Sequence, residues 1–189
     1  LHAAFGEVDI TPPMGTQLGG WLDVARPAQT VRDPLYARVM VLDDGAQRVF
    51  VVALDLLSIR RTDTIDLRRR IWEAADSAGA HIMVAATHNH AGPAMARIGP
   101  FAKAEEYVEW LKEAVTAIAA DAVDRLQPAE LGVASVFEGR YCHNRRWVTR
   151  DGSTITQPGV ANPNVLYCEG PADTELGVIC ARDIDGRAI

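Results

Sequence analysis

The stretch that decides the fold is RVFVVALDLLSIRRTDTIDLRRRIWEAADSAGAHIMVAAT, which runs from residue 48 to residue 87. Its first ten residues are apolar on both faces and rich in valine, as in a central strand of a sheet. Residues 62–78 then show apolar side chains at helical spacing, and 81–87 form a second apolar run. Strand, helix and strand in this order predict a right-handed parallel crossover, which brings the carboxyl ends of both strands to one edge of the sheet. Asp55 and His88 are therefore expected to be neighbours.

Two helices are predicted from the spacing of apolar residues. The first covers 62–78, with Thr62 or Asp63 as N-cap and Gly79 as its end. Its apolar residues are expected near one face, and they are Ile65, Ile71, Trp72, Ala75 and Ala78. The second helix, over 103–126, has the clearest three-to-four spacing in the chain and is predicted to be a packing element.

Further strands are predicted on both sides of the crossover, over 5–10, 35–42, 130–137 and 174–183. The strand over 35–42 is expected to form a hairpin with the valine-rich strand, through a turn at 43–47. Residues 148–173 are rich in Gly, Pro and Asn, which indicates a long loop. Together these elements predict an α/β or α+β fold, with mixed β-sheets flanked by helices.

Length and composition restrict the class of protein. The chain has 189 residues, which is near one ordinary domain, so a single domain over 1–189 is expected. Hydrophobic residues at 48% and charged residues at 23% are typical of globular proteins and exclude a disordered or collagen-like chain. The formal net charge of −6 leaves no broad basic surface, which argues against nucleic-acid partners. Cys142, Cys168 and Cys180 show no C-x-x-C spacing, which argues against a disulfide framework and a cysteine-based zinc site.

The two ends of the chain bear on its extent and its compartment. No apolar run reaches the roughly 18 residues of a membrane span, and residues 1–15 lack a signal-peptide pattern. A removed signal stays open because the chain begins at Leu1, so exported and cytoplasmic locations are both compatible with the sequence. Asp185-Gly186 is a strong hairpin-turn pair, and the chain stops where the return strand should begin. We expect a fragment of a longer protein; the alternative is a short, frayed edge strand.

The sharpest chemical signal is Thr87-His88-Asn89-His90-Ala91-Gly92-Pro93, at the end of the last crossover strand. In extended chain, residues two apart point to the same side, so His88 and His90 are expected to continue one face of the strand beyond the sheet edge. Ligands bind at such carboxyl edges in α/β folds, and imidazole is the commonest metal-ligating side chain. The spacing alone leaves a second interpretation open, in which two loop histidines bond to backbone carbonyls or water. His2, His81 and His143 are expected at the surface.

Other polar residues have two interpretations each. Asp55 follows an apolar run, where a buried carboxylate needs a partner, so it is a candidate to orient a metal-binding imidazole by accepting its ring N–H. The alternative is a cap or turn hydrogen bond. Arg145 and Arg146 follow a predicted strand, and guanidinium groups are suited to gripping a carboxylate or a polarised carbonyl. A solvated salt bridge is the alternative for that pair.

These residues resemble the N-terminal part of the neutral, non-lysosomal ceramidases, which are zinc amidases that cut the amide of N-acylsphingosine. The resemblance covers almost the whole chain and is greatest at 86–93, which is similar to the family's His-Thr-His-Ser-Gly-Pro motif. The other similar segments are GEVDITPP at 6–13, Gly19-Gly20-Trp21, Tyr36-Ala37-Arg38, VALDL at 52–56 and Asn144-Arg145. The resemblance implies stacked sheets flanked by helices.

The resemblance also implies roles for individual residues. His88 corresponds to a zinc ligand, His90 and Arg145 to residues that contact the substrate carbonyl region, and Gly20 to a glycine that lines the site. The family's other zinc ligands, a histidine, a glutamate and a tyrosine, and its serine nucleophile lie further along the chain. This chain by itself is therefore expected to be inactive. Asn89 and Ala91 depart from the family's threonine and serine, which leaves the substrate open.

The function predicted from the resemblance is zinc-dependent hydrolysis of N-acylsphingosine or a related N-acyl lipid. Its partners are then Zn²⁺ and a small lipid-like amide, with access to that substrate from a membrane surface. Two alternatives stay open, a zinc hydrolase of another ester or amide and a noncatalytic binding domain that keeps the fold. The sequence gives no oligomeric state.

Overall fold

The computed structural model describes residues 1–21, 24–77, 80–97 and 99–189. The chain forms two compact units, Leu1–Glu130 with Ala181–Ile189, and Leu131–Cys180. Because each unit is described by itself, the single domain expected over 1–189 stays a prediction. The elements in chain order are β1 His2–Asp9, β2 Tyr36–Asp43, β3 Arg48–Leu54, α1 Arg61–Ala74, β4 His81–Ala86, α2 Glu105–Asp124, β5 Gln127–Pro128, β6 Glu130–Phe137, β7 Arg146–Thr149, β8 Thr154–Thr156, β9 Val165–Cys168 and β10 Glu175–Arg182. Mixed sheets with two helices confirm the predicted fold class.

The first unit is built on a five-stranded sheet in the order β4-β3-β2-β1-β5. β2 and β3 pair antiparallel from Asp43 opposite Arg48, which confirms the predicted hairpin. β3 and β4 pair parallel, with Leu54 opposite Ala86, and α1 connects them. The predicted crossover is therefore present, and it sets the carboxyl ends of β3 and β4 side by side.

The core of this unit lies between one face of the sheet and the two helices. Alternate residues of β3, namely Phe50, Val52 and Leu54, are fully buried and pack with Leu67 of α1 and Leu111 of α2. Each such side chain contributes about 1.5–3 kcal/mol when it leaves water. This burial fixes the carboxyl ends of β3 and β4, which are followed by Asp55 and by the histidine motif.

The buried face of α1 differs from the predicted one. The helix begins at Arg61 after Arg60, which makes no side-chain cap, so the predicted N-cap at Thr62 or Asp63 was wrong. Ile65 and Trp72, predicted on the core face, are exposed. Ile71 and Ala75 are buried as predicted, and Asp63 and Leu67 complete the buried stripe. Asp63 is accommodated there because the Lys103 ammonium lies 3.0 Å from its Oδ1. The predicted Ala78 and Gly79 end lies outside the described residues.

The second unit corrects another prediction. Residues 148–173 were expected to form a long loop, but β7 pairs antiparallel with β8 and β9 in a three-stranded sheet. These strands are three or four residues long, so the Gly, Pro and Asn residues of their turns dominate the composition. β6 spans the predicted 130–137 and pairs with β10 in a second sheet.

The last residues form the predicted turn. Gly186 has a φ of 80°, which a residue without Cβ adopts readily, and the Asp183 amide donates to the Arg187 carbonyl. The Ile189 amide donates to the Ala181 carbonyl at 3.1 Å. None of the helices in the described ranges is long and apolar enough to cross a membrane. Cys142, Cys168 and Cys180 are not joined by disulfide bonds.

Candidate active site

The site lies where the parallel strands β3 and β4 end. Main-chain pairing continues beyond both strands, because the Thr87 amide donates to the Leu54 carbonyl and the Asn89 amide to the Leu56 carbonyl, at 2.9 and 3.1 Å. The segment that follows Leu54 therefore runs beside the histidine motif. The predicted proximity of Asp55 and His88 follows from this register.

The two histidines meet, but not through an extended chain as predicted. β4 ends at Ala86, and His88 has a φ of 64°, in the left-handed region that residues with a Cβ rarely adopt. The rings of His88 and His90 nevertheless lie edge to face, with their centroids 4.8 Å apart and their planes at 82°. Both residues are exposed, so the paired imidazoles are accessible from solvent.

The orientation of the His88 ring follows from one main-chain contact. Its Nδ1 lies 2.9 Å from the carbonyl oxygen of Leu57. A carbonyl oxygen only accepts, so Nδ1 carries the proton in this hydrogen bond and the neutral ring keeps its lone pair on Nε2. A backbone carbonyl bonded to the other ring nitrogen is the usual arrangement for a metal-binding histidine. His88 therefore fits the donor chemistry of a zinc ligand through Nε2.

Asp55 has partners other than the histidine rings. Its Oδ2 accepts from the Tyr36 amide at 3.0 Å and from the Arg38 guanidinium at 3.3 Å, and its Oδ1 accepts from the Thr87 hydroxyl at 3.3 Å. The carboxylate thus connects β2 to the segment that precedes His88. The contact that orients the His88 ring comes from Leu57, and a direct effect of Asp55 on an imidazole stays a prediction.

Gly20 lies against His90. A Cβ on Gly20 would be 2.7 Å from His90 Cγ, and the φ of Gly20 is 97°, so both space and backbone conformation require glycine here. Trp21 approaches the same ring edge-on, with the ring centroids 6.1 Å apart. The structure therefore brings Gly20 and His90 together, whereas contact of Gly20 with a substrate stays a prediction.

A cavity of about 400 Å³ adjoins the histidine motif. Asp55, Asn89 and Ala91 contribute polar and small groups to its wall. Its apolar lining is made by side chains of the 11–35 segment, including Pro12, Leu18, Val31, Pro34 and Leu35. Arg32 and Asp33 add charged groups to the lining, and a cavity of this volume is large enough for a small molecule.

Arg145 belongs to the second unit, where it is exposed. Its neighbour Arg146 forms an ion pair with Glu169, which agrees with the salt-bridge interpretation for one of the two arginines. Arg145 makes no ion pair within the part of the chain that the structure describes. Its predicted contact with the substrate carbonyl stays a prediction. His2, His81 and His143 are exposed, as expected.

Sequence reasoning missed two contributors to this site. The Leu57 carbonyl carries no side-chain signal, so only the register of β3 and β4 could have indicated it. Arg26, whose guanidinium donates to the His90 carbonyl, lies in a loop that the sequence marks by its length alone. Among the described residues, no group of three or more His, Cys, Asp and Glu side chains is arranged to hold a metal. His88 and His90 are thus two candidate metal ligands.

Fold and site together define an α+β protein with two imidazoles at the carboxyl edge of a parallel strand pair. The fold is similar to that of the neutral ceramidase from Pseudomonas aeruginosa, with 20% identity and a TM-score of 0.70 over 99% of this chain and 30% of that one. A ceramidase complexed with C2 is equally similar, at 20% identity and a TM-score of 0.70, with 99% and 29% covered. No family model and no curated protein sequence matches. The chain thus spans less than a third of these solved structures, and the ceramidase-like fold expected from the sequence is confirmed.

Proposed function

We propose that this chain supplies part of the active site of a zinc-dependent amidohydrolase that cleaves the amide of N-acylsphingosine or a related N-acyl lipid. The observation that carries the proposal is the His88 ring, oriented by the Leu57 carbonyl with Nε2 left to bind a metal. Its support from outside the chain is the fold shared with the neutral ceramidase.

His88 holds the metal in this proposal, as one of the roughly three protein ligands that catalytic zinc requires. The Leu57 carbonyl fixes the protonated nitrogen, so the ring presents the correct tautomer without rearrangement. When bound, zinc acts as a Lewis acid on the amide carbonyl and lowers the pKa of its water to about 7.

His90 is the second group at the site. Its ring lies edge to face with His88 at 4.8 Å, and Gly20 and Trp21 contact it. In this proposal the His90 ring donates a hydrogen bond to the oxyanion that develops on the amide carbonyl. One such donor is typically worth about 3 kcal/mol of transition-state stabilisation. A role of Arg145 in the reaction is supported by the Asn-Arg resemblance alone and stays a prediction.

A lipid-like substrate is supported by the surface around the motif. Met14, Trp21, Val24 and Val31 are exposed on the segment that lines the site and its cavity. Tryptophan and aliphatic side chains in this setting are suited to the boundary of a lipid surface. The substrate then reaches the histidines from an aggregate or membrane, and its apolar part occupies the 400 Å³ cavity.

A second candidate is a hydrolase of another amide or ester. Asn89 and Ala91, which depart from the family's threonine and serine, both line the cavity. A carboxamide and a methyl group in place of two hydroxyls change the hydrogen bonds offered to a substrate. The same zinc chemistry would then act on a different molecule.

The test is zinc content together with fatty-acid release from N-acylsphingosine, measured on the protein in its natural form and on its His88→Ala variant. His81→Ala is the matched control, because His81 is an exposed histidine at the start of the same strand. Zinc and hydrolysis that are lost in His88→Ala and kept in His81→Ala support the proposal. Zinc without hydrolysis favours the second candidate. Absence of zinc from all three proteins rejects both and leaves a noncatalytic binding domain.

A further inference from the structure

One glutamine connects residues 15–21 to residues 24–28, and these two stretches are together called the 15–28 segment. Gln17 Nε2 donates to the carbonyls of Leu18 and Val24 at 3.1 and 3.0 Å, and its Oε1 accepts from the Arg26 amide at 3.0 Å. Main-chain bonds join the two arms as well, including the Leu18 amide to the Arg26 carbonyl at 2.9 Å. The position of Arg26 is thus fixed by Gln17.

The same segment is bonded to the histidine motif. The Gly19 amide donates to the Gly92 carbonyl at 2.8 Å, and the Ala94 amide donates to the Gln17 carbonyl at 3.0 Å. These bonds lie on the C-terminal side of His90. The segment and the motif therefore keep a fixed relation through their backbones.

Arg26 completes the contact on His90 itself. Its Nη1 donates to the His90 carbonyl oxygen at 3.3 Å, across 64 residues of sequence. Its guanidinium carbon lies 5.8 Å from the centre of the Trp21 ring, within the range of a cation–π contact. Trp21 in turn meets the His90 ring edge-on at 6.1 Å. One side chain thus contacts both the backbone of His90 and the aromatic group beside its ring.

We propose that Arg26 is a positioning residue for His90, and that Gln17 holds Arg26 in place. The His90 carbonyl is fixed by the guanidinium, and the ring is confined by Gly20 and by Trp21. Catalytic groups held by rigid neighbours keep the geometry that a reaction requires. The geometric part of this inference is independent of the proposed function, on which only its kinetic consequence rests.

The first test measures the His90 ring by NMR, with its resonances assigned from a His90→Gln variant. The edge-on Trp21 ring displaces those resonances, so we expect Trp21→Ala to shift them and Arg26→Ala to shift them in the same direction. Arg26→Lys keeps a charged donor, so its His90 ring resonances should lie closer to those of the unmodified protein than the resonances of Arg26→Ala do. Arg125→Ala is the control, because Arg125 is exposed, pairs with the exposed Asp121 and does not line the cavity beside the histidine motif. Unchanged His90 signals in Arg26→Ala would overturn the proposal.

The second test is kinetic and uses the substrate that the function assay identifies. We expect Arg26→Ala to lower kcat about tenfold and to change KM by no more than about twofold. The reason is that the His90 ring is misplaced while substrate binding is kept. Arg26→Lys should recover part of kcat, and Arg125→Ala should leave it unchanged. A fall in kcat that Arg26→Lys does not relieve, or a change in KM alone, contradicts positioning. If no hydrolysis is found, the proposed function fails and the NMR result alone decides the role of Arg26.

Discussion

The ammonium of Lys112 lies 2.8 Å from Oδ2 of Asp66, although Lys112 is only 4% exposed. This ion pair joins α2 to α1. Glu109 lies against the same ammonium, and Asp63 is 3.9 Å away. A buried cation surrounded by carboxylates is costly to disrupt, since removal of one partner leaves the others without compensation.

Replacement of Lys112 should therefore destabilise the first unit. We expect Lys112→Ala to lower the free energy of unfolding by about 1.5–3 kcal/mol, the typical value for a charged hydrogen bond. Urea denaturation followed by circular dichroism measures the change. Arg125→Ala is the control at the C-terminal end of the same helix, because the pair of Arg125 with Asp121 is exposed and contributes little. Equal effects of the two substitutions would contradict the assigned role of Lys112.

The same cluster predicts a loss of stability in acid. Hydrogen bonds from Lys112, Arg69 and Arg70 hold the pKa of Asp66 well below its ordinary value of 3.8. A lowered pKa in the folded state stabilises the protein above the unfolded-state pKa, and this contribution is lost as the pH falls below about 4. We expect the stability difference between the unmodified protein and Asp66→Asn to be largest near pH 7 and to shrink toward pH 2. A difference that is constant over this range would rule out the Asp66 contribution.

Gly20 and Gly15 provide a matched pair of substitutions. Both have positive φ, 97° and 85°, but a Cβ on Gly20 would lie 2.7 Å from His90 Cγ, whereas nothing lies within 4 Å of one on Gly15. Gly15→Ala should therefore cost about 1–2 kcal/mol for the left-handed backbone alone. Gly20→Ala should cost more and should also displace the His90 ring signals. Thermal unfolding and histidine NMR measure both effects, and equal results for the two variants would refute the close contact.

Burial of Tyr107 should make the stability of the protein depend on pH in the alkaline range. Its hydroxyl donates to the Ile10 carbonyl at 2.5 Å, and burial raises the pKa of the hydroxyl above its ordinary value of 10. A raised pKa in the folded state means that stability is lost as the pH rises beyond 10. We expect Tyr107→Phe to cost about 1–2 kcal/mol at neutral pH, because the Ile10 carbonyl loses its donor. Absorbance titration should show one tyrosine that ionises late and disappears in Tyr107→Phe but not in Tyr141→Phe, where the side chain is exposed.

The parts of the fold that could be predicted are those in which local pattern and global packing agree. Valine-rich β3, the hairpin to β2 and the parallel β4 all follow from apolar runs whose length and order admit one arrangement. α1 shows where pattern is insufficient, because Asp63 occupies a core position that is made tolerable by Lys103 and Lys112, which are distant in sequence. Likewise β7, β8 and β9 are too short for their composition to differ from that of their turns.

The candidate site also has features that the sequence predicts and features that it does not. The proximity of His88 to the residues after β3 follows from the parallel register, which the sequence indicates. The orientation of its ring depends on the Leu57 carbonyl and on a left-handed backbone, neither of which a side-chain pattern encodes. Arg26 lies 64 residues from His90, and no periodicity relates the two.

The backbone bonds of Gln17 and Gly19, in the 15–28 segment, to the histidine motif have a consequence for protein engineering. They join backbone atoms, so they depend on the paths of the two chains more than on the identity of the side chains. A chimera that receives the histidine motif alone would lack the backbone partners of the motif, and the orientation of His90 would change. The two segments should therefore be transplanted together into the same acceptor protein.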